Sequence, residues 1–178
     1  TKDFTGGDGN DRYGHGTHVA AIIAGQGDTA DSEHRGMAFG AHIINLRVLD
    51  AEGAGKASNV IEAIDWSIRH KDEFDVRVIN LSLGHPASGS YKNDPMAKAV
   101  ERANRAGIVV VAAAGNYGKD DQGRPMVGAV ISPGYTPGAL TACALNTKHT
   151  VDRSDDGVAT YSSRGPVGDS TDPSTWEI

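Results

Sequence analysis

The stretch GHGTHVA, residues 14–20, places a histidine between two glycines at the start of an apolar run that ends at Gly25. Residues 19–24 carry no polar side chain, and a helix that is apolar on every face is typical of a buried helix. The pattern therefore predicts a buried helix with His15 at its N-terminus. The positive end of the helix dipole favours a neutral imidazole there, which is the form that a general base requires.

Composition excludes several classes of partner. The chain has 178 residues, of which 38% are hydrophobic, enough for one domain with its own core. Lys and Arg number 17 against 23 Asp and Glu, and this net charge of −6 argues against nucleic acid or an anionic membrane as a partner. No apolar run approaches the roughly 20 residues of a membrane span. The single cysteine, Cys143, lies in an apolar run and is expected to be a buried core residue.

Outward from the histidine, strand-like and helix-like segments alternate. Strands are predicted at 42–49, 76–83, 108–114, 140–145 and 158–161, with helices at 57–68 and 95–106, while residues 1–11 form a polar loop. This order predicts an α/β fold of three layers with a mostly parallel central sheet. The run 108–114 is apolar without alternation, which is typical of a strand buried on both faces. Neither a repeat nor an interdomain linker interrupts residues 1–178, so a single domain is expected.

Two predicted strands end in residues that suit a binding site. Sites in parallel sheets lie just past the carboxyl ends of the strands, and here those ends are Ser82-Leu83-Gly84 and Gly115-Asn116. The side-chain amide of Asn116 could donate a hydrogen bond into a cleft. Asparagine after glycine is also common in turns, and position alone favours the turn.

Several motifs, in the same order, resemble those of subtilisin-like serine proteases. Residues 14–20 resemble the histidine motif, 79–84 the substrate-binding strand, 112–116 the oxyanion segment, and 161–166 the strand and turn that precede the nucleophile. The resemblance extends from about Asp11 to Pro166. It implies a subtilisin-like fold, a partial peptidase domain over residues 1–178, and a serine endopeptidase that acts on polypeptides.

Carried over position by position, the resemblance implies that His15 is the general base and that Asn116 donates to the oxyanion. The backbone of Ser82, Leu83 and Gly84 would pair with the substrate, and Gly53, Ala54 and Gly55 would flank the other side of the substrate. Ala113, Ala114 and Gly115 would line the pocket for the side chain before the scissile bond.

The chain departs from the family in two places. The catalytic aspartate of the family lies in an Asp-Ser/Thr-Gly motif upstream of the histidine, and Asp3, Asp8 and Asp11 lie in no such motif. Asp11 instead matches a carboxylate at the edge of the cleft. The Gly-Thr-Ser motif of the nucleophile is missing, and Ser162 and Ser163 lie in a different motif. We therefore expect a fold that is incomplete at both ends, inactive and unstable alone, whose partners are a polypeptide substrate and the flanking segments of its own domain.

Two other functions stay open. The first is a non-catalytic peptide-binding or scaffold domain of the same fold. The second is a metal-dependent hydrolase in which His15 and His18 bind the metal. This alternative is weaker because the expected third ligand is not evident. We expect no metal in the chemistry and no cofactor requirement. Structural calcium is common in the family, and the loop 26–36 offers oxygen ligands in Asp28, Asp31 and Glu33, although a solvated loop is favoured. The family resemblance also suggests a cis bond before Pro133.

Overall fold

The computed structural model of the chain describes residues 1–27 and 34–167. The chain divides into two compact units, Thr1–Ala63 and Ile64–Ile178, and the boundary lies within a helix. Asp28, Asp31 and Glu33, which the sequence offered as possible calcium ligands in a loop expected to be solvated, lie outside the described residues.

In the first unit, strand β1 (Lys2–Asp3) pairs in parallel with strand β2 (Leu46–Arg47). The Arg47 guanidinium donates to the Asp3 carboxylate at 2.7 Å, and the two side chains are only 11% and 10% exposed. This bond, followed by those from Thr5 and Gly9, holds the pKa of Asp3 well below its usual range. The sequence predicted a loop over residues 1–11. A strand of two residues is too short to show alternation, so its existence depends on the pairing with β2.

Helix α1 (His15–Ala24) begins at the predicted histidine, but the prediction that it is buried is wrong for this chain. None of its ten residues is buried, and the side chain of Ile22 is 55% exposed. An apolar run reports which side chains could be buried; burial itself requires other elements to pack against them. The described residues leave much of this helix uncovered.

The remaining elements begin with helix α2, which crosses the boundary between the units, and continue through the second unit. They are α2 (Ala57–Arg69), α3 (Lys71–Phe74), β3 (Val78–Leu81), a 3₁₀ turn (Tyr91–Asn93), α4 (Pro95–Arg105), β4 (Val109–Ala113), β5 (Ala139–Ala142), β6 (Leu145–Asn146) and β7 (Gly157–Val158). The predicted strands are thus present but shorter than their apolar runs. Strand ends fray where no neighbour continues the ladder.

The second unit is organised around a parallel sheet in the order β3-β4-β5. Val78 of β3 lies opposite Val109 of β4, and Val111 of β4 lies opposite Leu140 of β5. Helix α4 lies between β3 and β4 in the chain and packs against β4. Strands β6 and β7 form a separate antiparallel pair. The predicted α/β architecture with mostly parallel pairing is confirmed.

Helix α4 begins where the sequence predicted, because Asp94 caps it. The Asp94 carboxylate accepts from the backbone N–H of Met96 at 2.7 Å and of Ala97 at 3.3 Å, and also from the Tyr135 hydroxyl at 2.8 Å. Pro95 occupies the first turn, where its missing N–H costs nothing. The side chains that face the sheet form much of the core: Met96, Ala97, Ala99, Val100 and Ala103.

Strand β4 is buried on one face only, so the prediction of a strand covered on both faces is wrong here. Val110 and Ala112 are 0% and 1% exposed, whereas Val109 on the opposite face is 46% exposed. On the neighbouring strands, Val78 of β3 and Leu140 of β5 are 56% and 60% exposed. Cys143, predicted to be a core residue, is also exposed. The described chain therefore leaves one apolar sheet face largely uncovered. None of the described helices has the length and apolar character needed to cross a bilayer.

Candidate active site

In the first unit, His15 lies at the first position of α1 and is exposed. The preceding residue, Gly14, adopts a left-handed conformation with φ of 90°, and a Cβ atom at that position would meet nothing within 4 Å. Glycine is thus required at this turn by backbone conformation, since the space around it is open. The ring of His15 is presented at the start of a helix, as the sequence predicted.

The start of α1 is held by Asp11, which lies four residues before the helix. One oxygen of its carboxylate accepts from the backbone N–H groups of Tyr13 at 3.1 Å and Gly14 at 2.7 Å. The other accepts from the backbone N–H of Thr17 at 2.8 Å and from its hydroxyl at 2.7 Å. Gly14 has no side chain to cap the helix. Asp11 therefore supplies the acceptor that the first turn needs.

These hydrogen bonds keep Asp11 ionised. The largest cause is the bond from the Gly14 N–H, followed by the two bonds from Thr17, and together they lower the pKa of Asp11 to about 2. An anion is also favoured at the positive end of the helix dipole. The resemblance had placed Asp11 at the edge of the cleft; its local role in the structure is to fix the turn that carries His15.

The predicted flanking segment, Gly53 to Gly55, lies in a tight turn closed by Asp50. The Asp50 carboxylate accepts from the Ala54 N–H at 2.9 Å, and the Asp50 N–H donates to the Ala54 carbonyl at 2.7 Å. A Cβ atom at Gly53 would lie 2.6 Å from the ring of Tyr13. The structure therefore packs Tyr13, a residue that sequence reasoning missed, against the predicted flanking segment. The sequence feature that could have pointed to Tyr13 is its aromatic side chain, two positions before His15.

In the second unit, β3 ends at Leu81, two residues before the predicted end of the strand at Leu83, and the chain continues through Ser82, Leu83 and Gly84. A Cβ atom at Gly84 would run into the carbonyl of Ser132, because the next residue forms an antiparallel bridge there. Leu83 and Gly84 make no backbone hydrogen bond with the described residues. Their backbone groups are thus available to an added strand.

Asn116 lies just past the end of β4 and is exposed. Within residues 1–27 and 34–167, its side-chain amide has no hydrogen-bond partner. Of the predicted pocket residues, Ala114 is wholly buried, and its N–H donates to the Ala142 carbonyl at 2.9 Å. Ala113 and Gly115 are partly exposed. The end of β4 is therefore anchored in the sheet, and the asparagine that follows it is open to solvent.

The segment from Tyr161 to Ser163 runs beside the Asn116 turn. The Gly118 N–H donates to the Tyr161 carbonyl at 2.9 Å, and the Tyr117 N–H donates to the Ser163 hydroxyl oxygen at 3.0 Å. Ser163 is wholly buried, so it cannot serve as an exposed nucleophile in this conformation.

The peptide bond before Pro133 is cis, which confirms the sequence expectation.

Comparison with known proteins decides the family. The model of the subtilase family (peptidase S8) matches residues 2–178. This chain belongs to the subtilase family. Its relatives include the serine protease AprX of Bacillus subtilis, which is 37% identical over 162 residues, or 88% of this chain and 35% of AprX. The Coccidioides posadasii subtilisin-like protease CPC735_015300 is 38% identical over 165 residues, or 91% of this chain and 35% of that protein.

Solved structures of subtilisin-like proteases share the fold of this subtilase chain. Sphericase superposes with a TM-score of 0.76 at 32% identity, over 92% of this chain and 51% of its own. The S41 psychrophilic protease superposes with a TM-score of 0.75 at 34% identity, again over 92% and 51% of the two chains. The chain thus spans about a third of the length of these curated relatives and half of these solved structures.

The subtilase chain shows no obvious metal centre where the structure can be described. Across residues 1–27 and 34–167, no three His, Cys, Asp or Glu side chains are grouped so that they could hold a metal ion. His15 and His18 are both exposed, one turn apart on α1. Asp11, the carboxylate that holds the start of α1, accepts hydrogen bonds from N–H and O–H groups of the chain.

Proposed function

We propose that this subtilase chain is part of a serine endopeptidase, in which His15 acts as general base and Asn116 as oxyanion donor. The observation that carries the proposal is the exposed Asn116 amide, which lies just past the end of a strand that is anchored in the sheet and buried on one face, and which has no partner among the described residues. An amide held in that way can donate to an oxygen that becomes negatively charged in the transition state. No cofactor is required for this chemistry.

In the proposed mechanism, neutral His15 takes the proton of a serine hydroxyl as that oxygen attacks the scissile carbonyl carbon. The carbonyl oxygen becomes an oxyanion, which the Asn116 amide stabilises. His15 then gives the proton to the leaving amine, and an acyl-enzyme is formed that water hydrolyses. The mechanism also requires a serine nucleophile and an aspartate to orient the histidine, and none of the 178 residues lies in the family's motif for either. We therefore infer that this segment has no peptidase activity alone.

The substrate is proposed to be an extended polypeptide. Its backbone pairs with Leu83 and Gly84 as an added strand, with Ser82 beside them and the segment Gly53, Ala54 and Gly55 on the other side. Ala113, Ala114 and Gly115 form a wall of the pocket for the residue before the scissile bond. The support is the edge that Leu83 and Gly84 leave unpaired in the described chain.

The test uses the full-length product of the gene that encodes this chain and a fluorophosphonate that labels activated serines. We expect labelling and peptide hydrolysis, and we expect His15→Ala to lower kcat by about a million-fold, the figure known for subtilisin itself. Asn116→Ala should lower kcat by about 100- to 1000-fold with little change in KM, again the subtilisin value.

His18→Ala is the matched control for His15→Ala, because both side chains are exposed on the same helix one turn apart. A metal site shared by the two histidines predicts equal losses, whereas the serine mechanism predicts that only His15→Ala is inactive. A full-length product that neither labels nor hydrolyses peptides would contradict the peptidase proposal and favour a scaffold domain of the same fold.

We also propose that flanking segments of the same domain cover the apolar sheet face that is exposed here. Leu140 on β5 is 60% exposed and neighbours Val111 in the sheet. Leu140→Ser should therefore reduce aggregation of the isolated segment but destabilise the full-length product, by about 1.5–3 kcal/mol if the side chain is fully buried there. Thermal denaturation and light scattering measure the two effects. An unchanged melting temperature of the full-length product would contradict the covered face.

A further inference from the structure

We propose that Ser163 is a positioning residue for Asn116, holding the backbone on both sides of the asparagine. The inference rests on the proposed role of Asn116 as oxyanion donor. Ser163 lies 47 positions further along the chain and in another motif, yet its hydroxyl and its backbone N–H both contact the Asn116 turn. A buried hydroxyl thus holds the backbone next to the exposed amide.

Two hydrogen bonds bracket the asparagine. The Ser163 N–H donates to the carbonyl of Gly115 at 2.9 Å, on one side of Asn116. The Tyr117 N–H donates to the Ser163 hydroxyl oxygen at 3.0 Å, on the other side. The peptide groups that precede and follow Asn116 are therefore tied to one residue, so neither can rotate without breaking a bond.

Burial makes these bonds difficult to replace. Ser163 is 0% exposed, so water cannot easily take over as acceptor for the Tyr117 N–H if the hydroxyl is removed. The turn is also sterically tight: a Cβ atom at Gly115 would lie 2.7 Å from Ile131 Cγ2 and 3.1 Å from the Ser163 hydroxyl oxygen. The turn therefore has little room to adopt a second arrangement.

This rigidity matters because oxyanion stabilisation depends on donors that are already oriented before the reaction. The Asn116 side chain is exposed and has no partner within the described residues to orient it. Its position is consequently set by its backbone, and Ser163 fixes that backbone. Loosening the turn should lower the rate of the chemical step more than it weakens substrate binding.

Ser163→Ala in the full-length product tests the proposal, with Ser162→Ala as the matched control. The two serines are adjacent, both are 0% exposed, and each hydroxyl oxygen accepts one backbone N–H, but that of Ser162 comes from Ala144 at 3.1 Å. We expect Ser163→Ala to lower kcat about tenfold with KM changed less than about twofold, and Ser162→Ala to leave kcat within about twofold of the parent. Equal losses in the two variants would overturn the proposal.

A double-mutant cycle separates positioning from general destabilisation. If Ser163 acts through Asn116, Ser163→Ala should change kcat less than about twofold once Asn116 is already alanine. The same tenfold loss in both backgrounds would show that Ser163 affects the reaction by another route, and would overturn the inference.

Amide hydrogen exchange of Tyr117 tests the anchoring without any activity. Ser163→Ala should accelerate that exchange, and Ser162→Ala should not; unchanged exchange in Ser163→Ala overturns the proposal. A full-length product without peptidase activity would instead defeat the proposed function, whatever the exchange shows. If Ser163→Ala does not fold, Ser163→Cys provides a similar volume with a weaker acceptor, and an intermediate exchange rate at Tyr117 is expected.

Discussion

The segment that carries His15 and the segment that carries Asn116 are fixed by different means. Both follow a glycine in a left-handed conformation, with φ of 90° at Gly14 and 98° at Gly115. The histidine turn is exposed and is held by an ionised carboxylate six residues or fewer from its partners. The asparagine turn is held by a buried neutral hydroxyl from a distant part of the chain.

The difference shows that a site residue can be supported either locally or by the tertiary fold. Asp11 and Thr17 are neighbours in sequence, so the histidine turn depends mainly on its own residues. The asparagine turn depends on β4, on Ile131 and on Ser163, all of which must fold together. The second segment should therefore be the more sensitive to changes in packing, and the first to changes in charge.

The largest expected difference between the two segments concerns their glycines. Gly14→Ala places a side chain in open space and should cost only the left-handed conformation, about 1–2 kcal/mol. Gly115→Ala incurs the same strain and also forces a Cβ atom to within 2.7 Å of Ile131 Cγ2, which should add about 1–3 kcal/mol. Thermal denaturation of the full-length product measures both. Equal losses of stability would contradict the distinction between open and crowded turns.

A smaller effect is expected from Asp11→Asn, which keeps the side-chain volume but leaves one acceptor oxygen for the four hydrogen bonds that the two carboxylate oxygens accept. Loss of a helix cap is worth about 1 kcal/mol, so kcat/KM should fall about fivefold as the His15 turn loosens. Asp8→Asn is the control, because Asp8 bonds only Asn10 and Arg12 among the described residues and leaves the helix untouched. Equal effects of Asp8→Asn and Asp11→Asn would contradict a specific role for Asp11.

Asp11→Asn also tests how the two segments respond to acid. The pKa of Asp11 is lowered to about 2 in the folded chain, so its stabilisation is fully present above the ordinary value near 4 and is lost as the pH falls through 2. Asp11→Asn should accelerate amide exchange at Gly14 or at Thr17, and this difference from the parent should shrink as the pH falls from 5 towards 2. Tyr117 exchange, which depends on a hydroxyl, should show no such difference between the two proteins. A constant difference at Gly14 and Thr17 over that pH range would contradict the prediction.

Local patterns predicted the elements better than their surroundings. The position of His15 at a helix start and the Asp94 cap of α4 follow from residues within one turn of each other, and both are confirmed. The burial of α1 and of both faces of β4 was predicted wrongly from the same apolar runs. Such a run shows that a face can be buried, while its actual burial depends on elements elsewhere in the chain.

The amino-acid sequence by itself determined the family, the α/β order and the positions of His15 and Asn116, because the motifs and periodicities that define them are local. Only the tertiary structure brought Ser163 beside Tyr117 and Tyr13 against Gly53, because those contacts join residues dozens of positions apart. Side-chain type and spacing record which groups are present. Which of them touch is decided by how the strands and turns pack.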